Sequence, residues 1–293
     1  MTVLVVGATG NVGSAVVHEL LGRGVAARAF VRDPGRARAL LGEDVELAAG
    51  DLGDPPSLAR ALDGVERLFL ACGNVPGQVE LEGSAIEAAR RAGVGLVVKL
   101  SAVSASPDSP LLFPRWQGEI EQRLRASGLP FVLLRPTSYM TNLLMSAGAV
   151  RATGKLLAPA GQARISMIDP RDVGVAGAAV LAGAGHEGAT YVLSGPAAVT
   201  YADVAAALSE ATGHRIEFVD VPDEAARRGM LDDGVPEQVA DFVVQLFGAL
   251  RDGLASEVTD AVQRLTGRGP RDVREWARDH AAAFAPAQEP APA

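Results

Sequence analysis

The chain opens with an apolar run over residues 3–6. Gly7-Ala8-Thr9-Gly10-Asn11-Val12-Gly13 follows without a break, and then an amphipathic stretch over 11–23. Glycines spaced G-x-x-G-x-x-G between a strand and a helix leave few folds open. Gly7 permits the sharp turn off the strand, Gly10 removes the Cβ that would block a pyrophosphate, and Gly13 lets the helix pack close to the sheet. The helix N-terminus, at Asn11 and Val12, offers unpaired N–H groups and the positive end of its dipole to phosphate. Thr9 and Asn11 add side-chain hydrogen bonds. A ligand-free tight turn could use the same glycines, but the strand before and the helix after favour a dinucleotide corner.

The same alternation continues. Apolar runs at 27–31, 45–48, 67–71, 95–100 and 130–134 are separated by amphipathic stretches at 34–41, 57–62, 78–91 and 116–126. Short apolar strands alternating with helices predict a parallel sheet with helices on both faces and right-handed crossovers. In the 78–91 helix, Ile86 and Ala89 share an inner face, Glu82, Glu87 and Arg90 face water, and Gly93 caps the end. Past Arg135-Pro136 the pattern loosens: a loop and helix over 137–148, able to overhang the sheet's carboxyl edge, strands at 164–168, 190–193 and 215–221, and helices at 170–182, 201–212, 229–253 and 271–284. Asp169 is expected to cap the helix that opens with Pro170.

The fold class is α/β: a Rossmann doubly wound parallel sheet with a smaller C-terminal α+β lobe. Residues 1–136 form the nucleotide domain and 137–284 the lobe, roughly 170–195 return to the first domain, and Pro/Ala-rich 285–293 is a disordered tail. The 229–253 helices are expected to serve as a substrate lid or as the contact of a homodimer.

Composition narrows the function. Of 293 residues 48% are hydrophobic, enough for a packed core, and the formal net charge of −8 argues against nucleic acid as a partner. No apolar run reaches the ~18 residues of a membrane span, and the N-terminus lacks a signal-peptide pattern, which makes the cytoplasm the default address. The single cysteine, Cys72, excludes an intrachain disulfide and a cysteine metal cluster, and reads as a small buried hydrophobe. His18, His186, His214 and His280 have no metal-ligand spacing, so no metal site is expected. Neither a Gly-x-Ser-x-Gly elbow nor a Walker A loop is present.

The choice of dinucleotide is read at the tip of the second strand. Arg32 stands there, able to fork a 2′-phosphate, with Arg36 and Arg38 nearby, which favours NADP(H). Asp33, one residue later, is the acid an NAD site would use. Asp51 and Leu52, after the third strand, lie beside the adenine pocket; Asp51 either accepts from the adenine amino group or caps the helix near Pro55. Ala71, Cys72 and Gly73 follow the fourth strand and line the cofactor's ribose. Pro136 and Thr137, after the sixth, place backbone against the nicotinamide amide. Phe113, Trp116, Tyr139, Met140 and Leu143 are candidates for an apolar rim that suits a flat aromatic substrate, though such side chains are more often plain core.

VLVVGATGNVG, FVRDP, GDLGDPPSL, AARRAGV, SGLPFVLLRPTSYMTNLL, IDPRDVG, GHEGATYVLSGP and VTYADVAAALSEATG together cover nearly the whole chain. In these stretches it resembles the NmrA-like atypical short-chain dehydrogenases/reductases, most of all their quinone-oxidoreductase-like branch. The resemblance implies NADP(H) binding and one of two roles: a reductase of quinones or similar aromatic small molecules, or a nucleotide-sensing regulator of a partner protein. A biosynthetic isomerase or cyclase on the same fold is a third. It also implies a catalytic or ribose-facing hydroxyl at Ser101, able to orient a substrate carbonyl. Tyr139, through its hydroxyl, is the candidate polar contact. The Tyr-x-x-x-Lys pair of typical short-chain dehydrogenases is missing: Tyr139 is followed four residues on by Leu143, Tyr191 by Gly195 and Tyr201 by Ala205. Where relatives often carry Lys or His, Gln117 stands, which neither gives nor takes a proton near neutral pH.

Overall fold

The computed structural model describes residues 1–286. Along the chain the first elements are β1 (Thr2–Val6), α1 (Asn11–Gly22), β2 (Ala26–Val31), α2 (Pro34–Leu41), β3 (Glu46–Ala49), α3 (Pro55–Ala61), β4 (Arg67–Leu70), α4 (Gln78–Ala92), β5 (Leu96–Leu100), α5 (Leu112–Ala126) and β6 (Phe131–Pro136). A 3₁₀ segment, Met140–Ser146, leads into α6 (Ala147–Thr153) and β7 (Lys155–Ala158). Then come α7 (Pro170–Ala182), β8 (Thr190–Leu193), α8 (Tyr201–Thr212), β9 (Glu217–Asp220), α9 (Asp223–Asp232), α10 (Glu237–Arg251), α11 (Ala261–Thr266), α12 (Val273–Asp279) and α13 (Ala281–Phe284).

Two compact units result. The first comprises Met1–Pro136, Pro170–Leu193 and Asp260–Gly269; the second comprises Thr137–Asp169, Ser194–Thr259 and the chain from Pro270. The first unit holds a seven-stranded sheet of order β3-β2-β1-β4-β5-β6-β8, and every pairing is parallel. The order reverses between β2 and β4 on either side of β1, which opens the crevice where such sheets take ligands at their carboxyl ends.

Parallel strands buried on both faces need continuous apolar runs, and these have them. On one face Leu4, Val6, Leu68, Leu70, Val97 and Leu133 pack with Leu58, Ile86, Ile120 and Leu124 from α3, α4 and α5. On the other, α7 is an Ala/Gly-rich helix pressed against α1: a Cβ on Gly174 would lie 2.4 Å from the Ala15 Cβ, and one on Gly177 would meet Phe69, Leu134 and Val16. Arg67 secures the end of α7, donating to the carbonyls of Leu181 at 2.7 Å and Gly183 at 2.6 Å.

In the second unit β7 and β9 pair in parallel, and a separate core gathers Leu156, Met167, Leu208, Leu250, Trp276 and Phe284. Capping boxes start α8 at Thr200/Asp203 and α12 at Asp272/Glu275. On α9, Arg227 reaches Glu237 and Asp241 at 2.5 and 2.6 Å.

Several sequence expectations are corrected. The 164–168 strand is absent: Ile165 and Ile168 make only isolated bridges, to Val199 and Tyr139. The strand that pairs with β9 is instead β7, whose burial alternates while its sequence, with an exposed Leu157 beside the buried Leu156, does not. The helices expected over 229–253 begin earlier, at Asp223, and break after Asp232; the helical stretch at 271–284 divides into α12 and α13. Glu82 does not face water but is fully buried. The expected tail falls mostly on 287–293, outside the described residues.

Candidate functional site

The corner between β1 and α1 is closed by backbone touching backbone. Gly7 has φ 75°, which L side chains resist, and a Cβ there would sit 2.7 Å from the Ala71 carbonyl oxygen at the end of β4. A Cβ on Gly13 would lie 2.1 Å from the Gly7 oxygen. A Cβ on Gly10 would meet only that same oxygen, at 3.3 Å, and Thr9, Gly10 and Asn11 are exposed. Gly10 is the N-cap of α1 and supplies no side-chain acceptor; the first turn holds no acid. Ser14 N–H donates to the Gly10 carbonyl at 2.9 Å, leaving the N–H groups of Asn11, Val12 and Gly13 at the helix end without a partner in the helix. Open donors on a 12-residue helix make an anion seat whose floor is glycine.

The tip of β2 resolves the ambiguity at Asp33. Its carboxylate accepts from the Arg36 N–H at 3.0 Å and so caps α2. Arg32 and Arg36 are exposed, and no ion pair engages their guanidinium groups among the described residues. Arg38 is not part of this group: it turns back to donate to the carbonyls of Gly42, Glu43 and Val45, where it pins the turn before β3. Asp51 does not cap the next helix either. It accepts from Gly53 N–H at 2.7 Å in a tight Asx turn, and Asp54 takes the N-cap position of α3. Asp51 is exposed and Leu52 half-buried.

Behind the end of β4, Ala71 is buried, Cys72 half-buried and Gly73 exposed. Cys72, expected to be a buried hydrophobe, is only half-buried, and burial with the negative charge of Glu82 pushes its thiol above its ordinary range. Below it, Lys99 on β5 and Glu82 on α4 form an ion pair at 2.9 Å with both side chains fully buried. Gln78 donates to the other Glu82 oxygen at 2.8 Å, and the Lys99 ammonium also donates to the Leu100 carbonyl. Burial raises the Glu82 carboxyl and Lys99 opposes the rise. Sequence reasoning missed this pair. Its one available signal was a lysine at an inward position of a buried strand, which has to find an acid.

At the end of β5, Ser101 is buried and donates its hydroxyl proton to Glu121 on α5 at 2.6 Å. Arg135 on β6 forks the same carboxylate at 2.9 and 2.5 Å. Gln117, one turn before Glu121 on α5, is buried, and its Oε1 accepts nothing. The connection from β5 to α5 is tight: a Cβ on Gly118 would lie 2.1 Å from the Ser106 carbonyl carbon, and Ser104 holds φ 58°. Pro136 ends β6, buried, its carbonyl accepting from Val103 N–H at 3.0 Å.

In the second unit, Tyr139 is partly buried and its phenol is pushed up by burial. Met140 and Leu143 belong to the core, so of the expected rim this segment exposes Leu144 and Met145 instead. Phe113 and Trp116, in the first unit, stack at a tilt with ring centroids 5.4 Å apart. His186 is structural, its Nδ1 within 2.9 Å of the Tyr191 hydroxyl. No group of three His, Cys, Asp or Glu side chains able to hold a metal occurs among the described residues, and no described helix is long and apolar enough to cross a membrane.

With this geometry in view, comparison with known proteins is informative. The model of the NmrA-like family matches residues 1–277. The chain is 40% identical over 282 residues to an NAD(P)H azoreductase of Xenophilus azovorans, covering 96% of this chain and 99% of that one. It is 39% identical over 285 residues to a (4-alkanoyl-5-oxo-2,5-dihydrofuran-3-yl)methyl phosphate reductase of Streptomyces griseus, covering 97% and 99%. Among solved structures, an NADPH-dependent quinone oxidoreductase of Escherichia coli in complex with NADPH superposes with a TM-score of 0.87 at 29% identity, covering 94% of this chain and 99% of that one.

Proposed function

The chain belongs to the NmrA-like family, and on that premise we propose that it is a reductase that delivers hydride from NADPH to a flat, electron-poor conjugated small molecule such as a quinone or an azo compound. NADP(H) is the cofactor. The observation that carries the reading is the division of labour at the tip of β2: Asp33 caps α2, while the exposed guanidinium groups of Arg32 and Arg36 make no ion pair among the described residues. The corner seats the diphosphate on the N–H groups that open α1, and a 2′-phosphate completes the two guanidinium groups.

Bound NADPH supplies a hydride. The protein's part is to hold the acceptor flat at near-attack distance and to exclude water from the face of transfer. A quinone takes the hydride and one proton to become a hydroquinone; an azo compound takes the same pair across its N=N bond to become a hydrazine. With no Tyr-x-x-x-Lys pair and a neutral Gln117, the proton comes from solvent.

The test follows NADPH oxidation against a panel of quinones and azo dyes. Turnover of several panel members is expected; tight NADPH binding with no oxidation of any acceptor would remove the catalytic reading. Arg32→Ala should weaken NADPH binding roughly 10- to 100-fold, the worth of a charge-assisted hydrogen-bond pair, and leave NADH binding alone. Equal losses for both dinucleotides would reject Arg32 as the reader of the 2′-phosphate.

A further inference from the structure

The turn that follows β3 is held from behind by a buried hydroxyl. Gly50, Asp51, Leu52 and Gly53 lead from β3 to Asp54, the N-cap of α3. Within the turn, Gly53 N–H donates to Asp51 Oδ1 at 2.7 Å and Asp54 N–H to the Asp51 carbonyl at 2.9 Å. Ser57, buried on the first turn of α3, supplies the rest: its Oγ accepts from Asp51 N–H at 3.2 Å and donates to the Asp54 carbonyl at 2.8 Å. A hydroxyl has one proton, and the other acceptor in reach, the Asp51 carbonyl, is farther off at 3.3 Å. One side chain thus ties both ends of the turn together. The fit is close, for a Cβ on Gly50 would lie 2.5 Å from Ser57 Oγ and 2.5 Å from the Phe30 ring on β2. Leu52 packs against the same core as Phe30 and Leu58.

The clamp fixes Asp51. This residue is exposed; Gly53 takes one carboxylate oxygen, and nothing among the described residues pairs with the other. The sheet order places it. β3 lies next to β2, whose tip carries Arg32 and Arg36, and β2 lies next to β1, whose glycine corner opens α1. A dinucleotide with its diphosphate on the corner and its 2′-phosphate on the arginines lays its adenine over the tips of β2 and β3. An open carboxylate oxygen there can accept from the adenine amino group, and its selectivity depends on how firmly its backbone is held. We propose that Ser57 is a positioning residue for base recognition: without touching the cofactor, its hydroxyl holds the Asp51 turn in the geometry that tells adenine from a base lacking the amino group. The inference rests on the NADP(H) half of the proposed function and not on turnover.

The test titrates Ser57→Ala with NADPH and with reduced nicotinamide hypoxanthine dinucleotide phosphate, in which an oxygen replaces the amino group. The wild type should bind NADPH about tenfold more tightly than the analogue, because the analogue sets an acceptor against an acceptor. In Ser57→Ala the NADPH Kd should rise about tenfold while that of the analogue holds, which brings the two to within about twofold. A serine that only stabilises the fold would weaken both alike and keep the ratio. Leu62→Val, in the same core, is the control for that case: it should lower the melting temperature and leave the ratio at the wild-type value. Gly50→Ala, which would press on the same hydroxyl from the strand side, should narrow the ratio with Ser57 in place and tests the clamp independently. A wild-type ratio in Ser57→Ala or in Gly50→Ala overturns the inference, as does a wild type that binds both dinucleotides alike. Failure of the wild type to bind NADPH at all would instead strike at the cofactor assignment.

Discussion

Gly13→Ala should abolish measurable NADPH binding and destabilise the first unit. The added methyl would stand 2.1 Å from the Gly7 carbonyl oxygen and 2.7 Å from its carbon, both backbone atoms that no rotamer change can move. Either α1 lifts off the β1 corner or Gly7 leaves its φ of 75°, where it already lies against Ala71. Overpacking of this kind costs about 1–3 kcal/mol, occasionally more. The effect on binding should be larger, because an ångström of displacement at the helix end moves every N–H donor of the phosphate seat together; about a hundredfold or more is expected. Gly22→Ala, on the same helix, is the control. A Cβ there meets nothing within 4 Å, so it should leave binding intact and the helix no weaker. Calorimetric titration with NADPH alongside thermal melts would check both variants. Wild-type affinity in Gly13→Ala would mean that the corner does not seat the diphosphate.

Lys99→Met is expected to be the most destabilising single change in the chain's buried polar set. Lys99 and Glu82 are both fully buried, and removing one partner strands the other's charge, at a cost of about 3–5 kcal/mol. The double variant Lys99→Met/Glu82→Leu should recover to within about 1 kcal/mol of the wild type or exceed it, because a matched apolar pair incurs no desolvation cost. The single variant should also carry a pH signature. Burial raises the Glu82 carboxyl above its ordinary range in the folded protein and Lys99 pulls it back. A group with a raised folded value binds its proton more tightly in the folded state, so its stabilisation is present at acid pH and lost as pH rises through that value. Without Lys99 the rise is larger, and stability should fall more steeply than in the wild type as pH rises above the ordinary carboxylate range. Denaturant unfolding followed by tryptophan fluorescence reads the effect in the right place: Trp116 lies in the first unit with the pair, and Trp276 in the second. A flat pH response in Lys99→Met, or a double variant no better than the single, would contradict this account.

These two sites differ in how visible they are in the sequence. The glycine corner is local. Gly7, Gly10 and Gly13 act on residues a few positions away, so their spacing alone carries the geometry. The helices that begin with a capping acid and a proline are legible for the same reason, and Asp33 followed by Pro34 is one of them. As a sequence feature that acid read only as the one an NAD site would use, because a helix-capping carboxylate can stand at the same position. Arg38 shows the opposite failure. Its sequence position suits phosphate, but its guanidinium satisfies three loop carbonyls instead.

Glu82 marks the limit more sharply. On a helical wheel it reads as a solvent-facing acid. Its burial depends on a lysine 17 positions away on a different element, with Gln78 completing the carboxylate's contacts. The Ser101–Glu121–Arg135 arrangement is likewise assembled from β5, α5 and β6.

The strand–glycine–helix opening and the run of apolar strands between amphipathic helices were enough to establish a parallel sheet of the nucleotide-binding kind. They suffice because backbone conformation, helix capping and hydrophobic periodicity act over a few neighbouring residues. Which buried charges are paired, which acid is already engaged and which hydroxyl already donates to a neighbour depend on side chains that only folding brings within 3 Å of one another. Electrostatics and hydrogen bonding at that range are decided by tertiary contact alone.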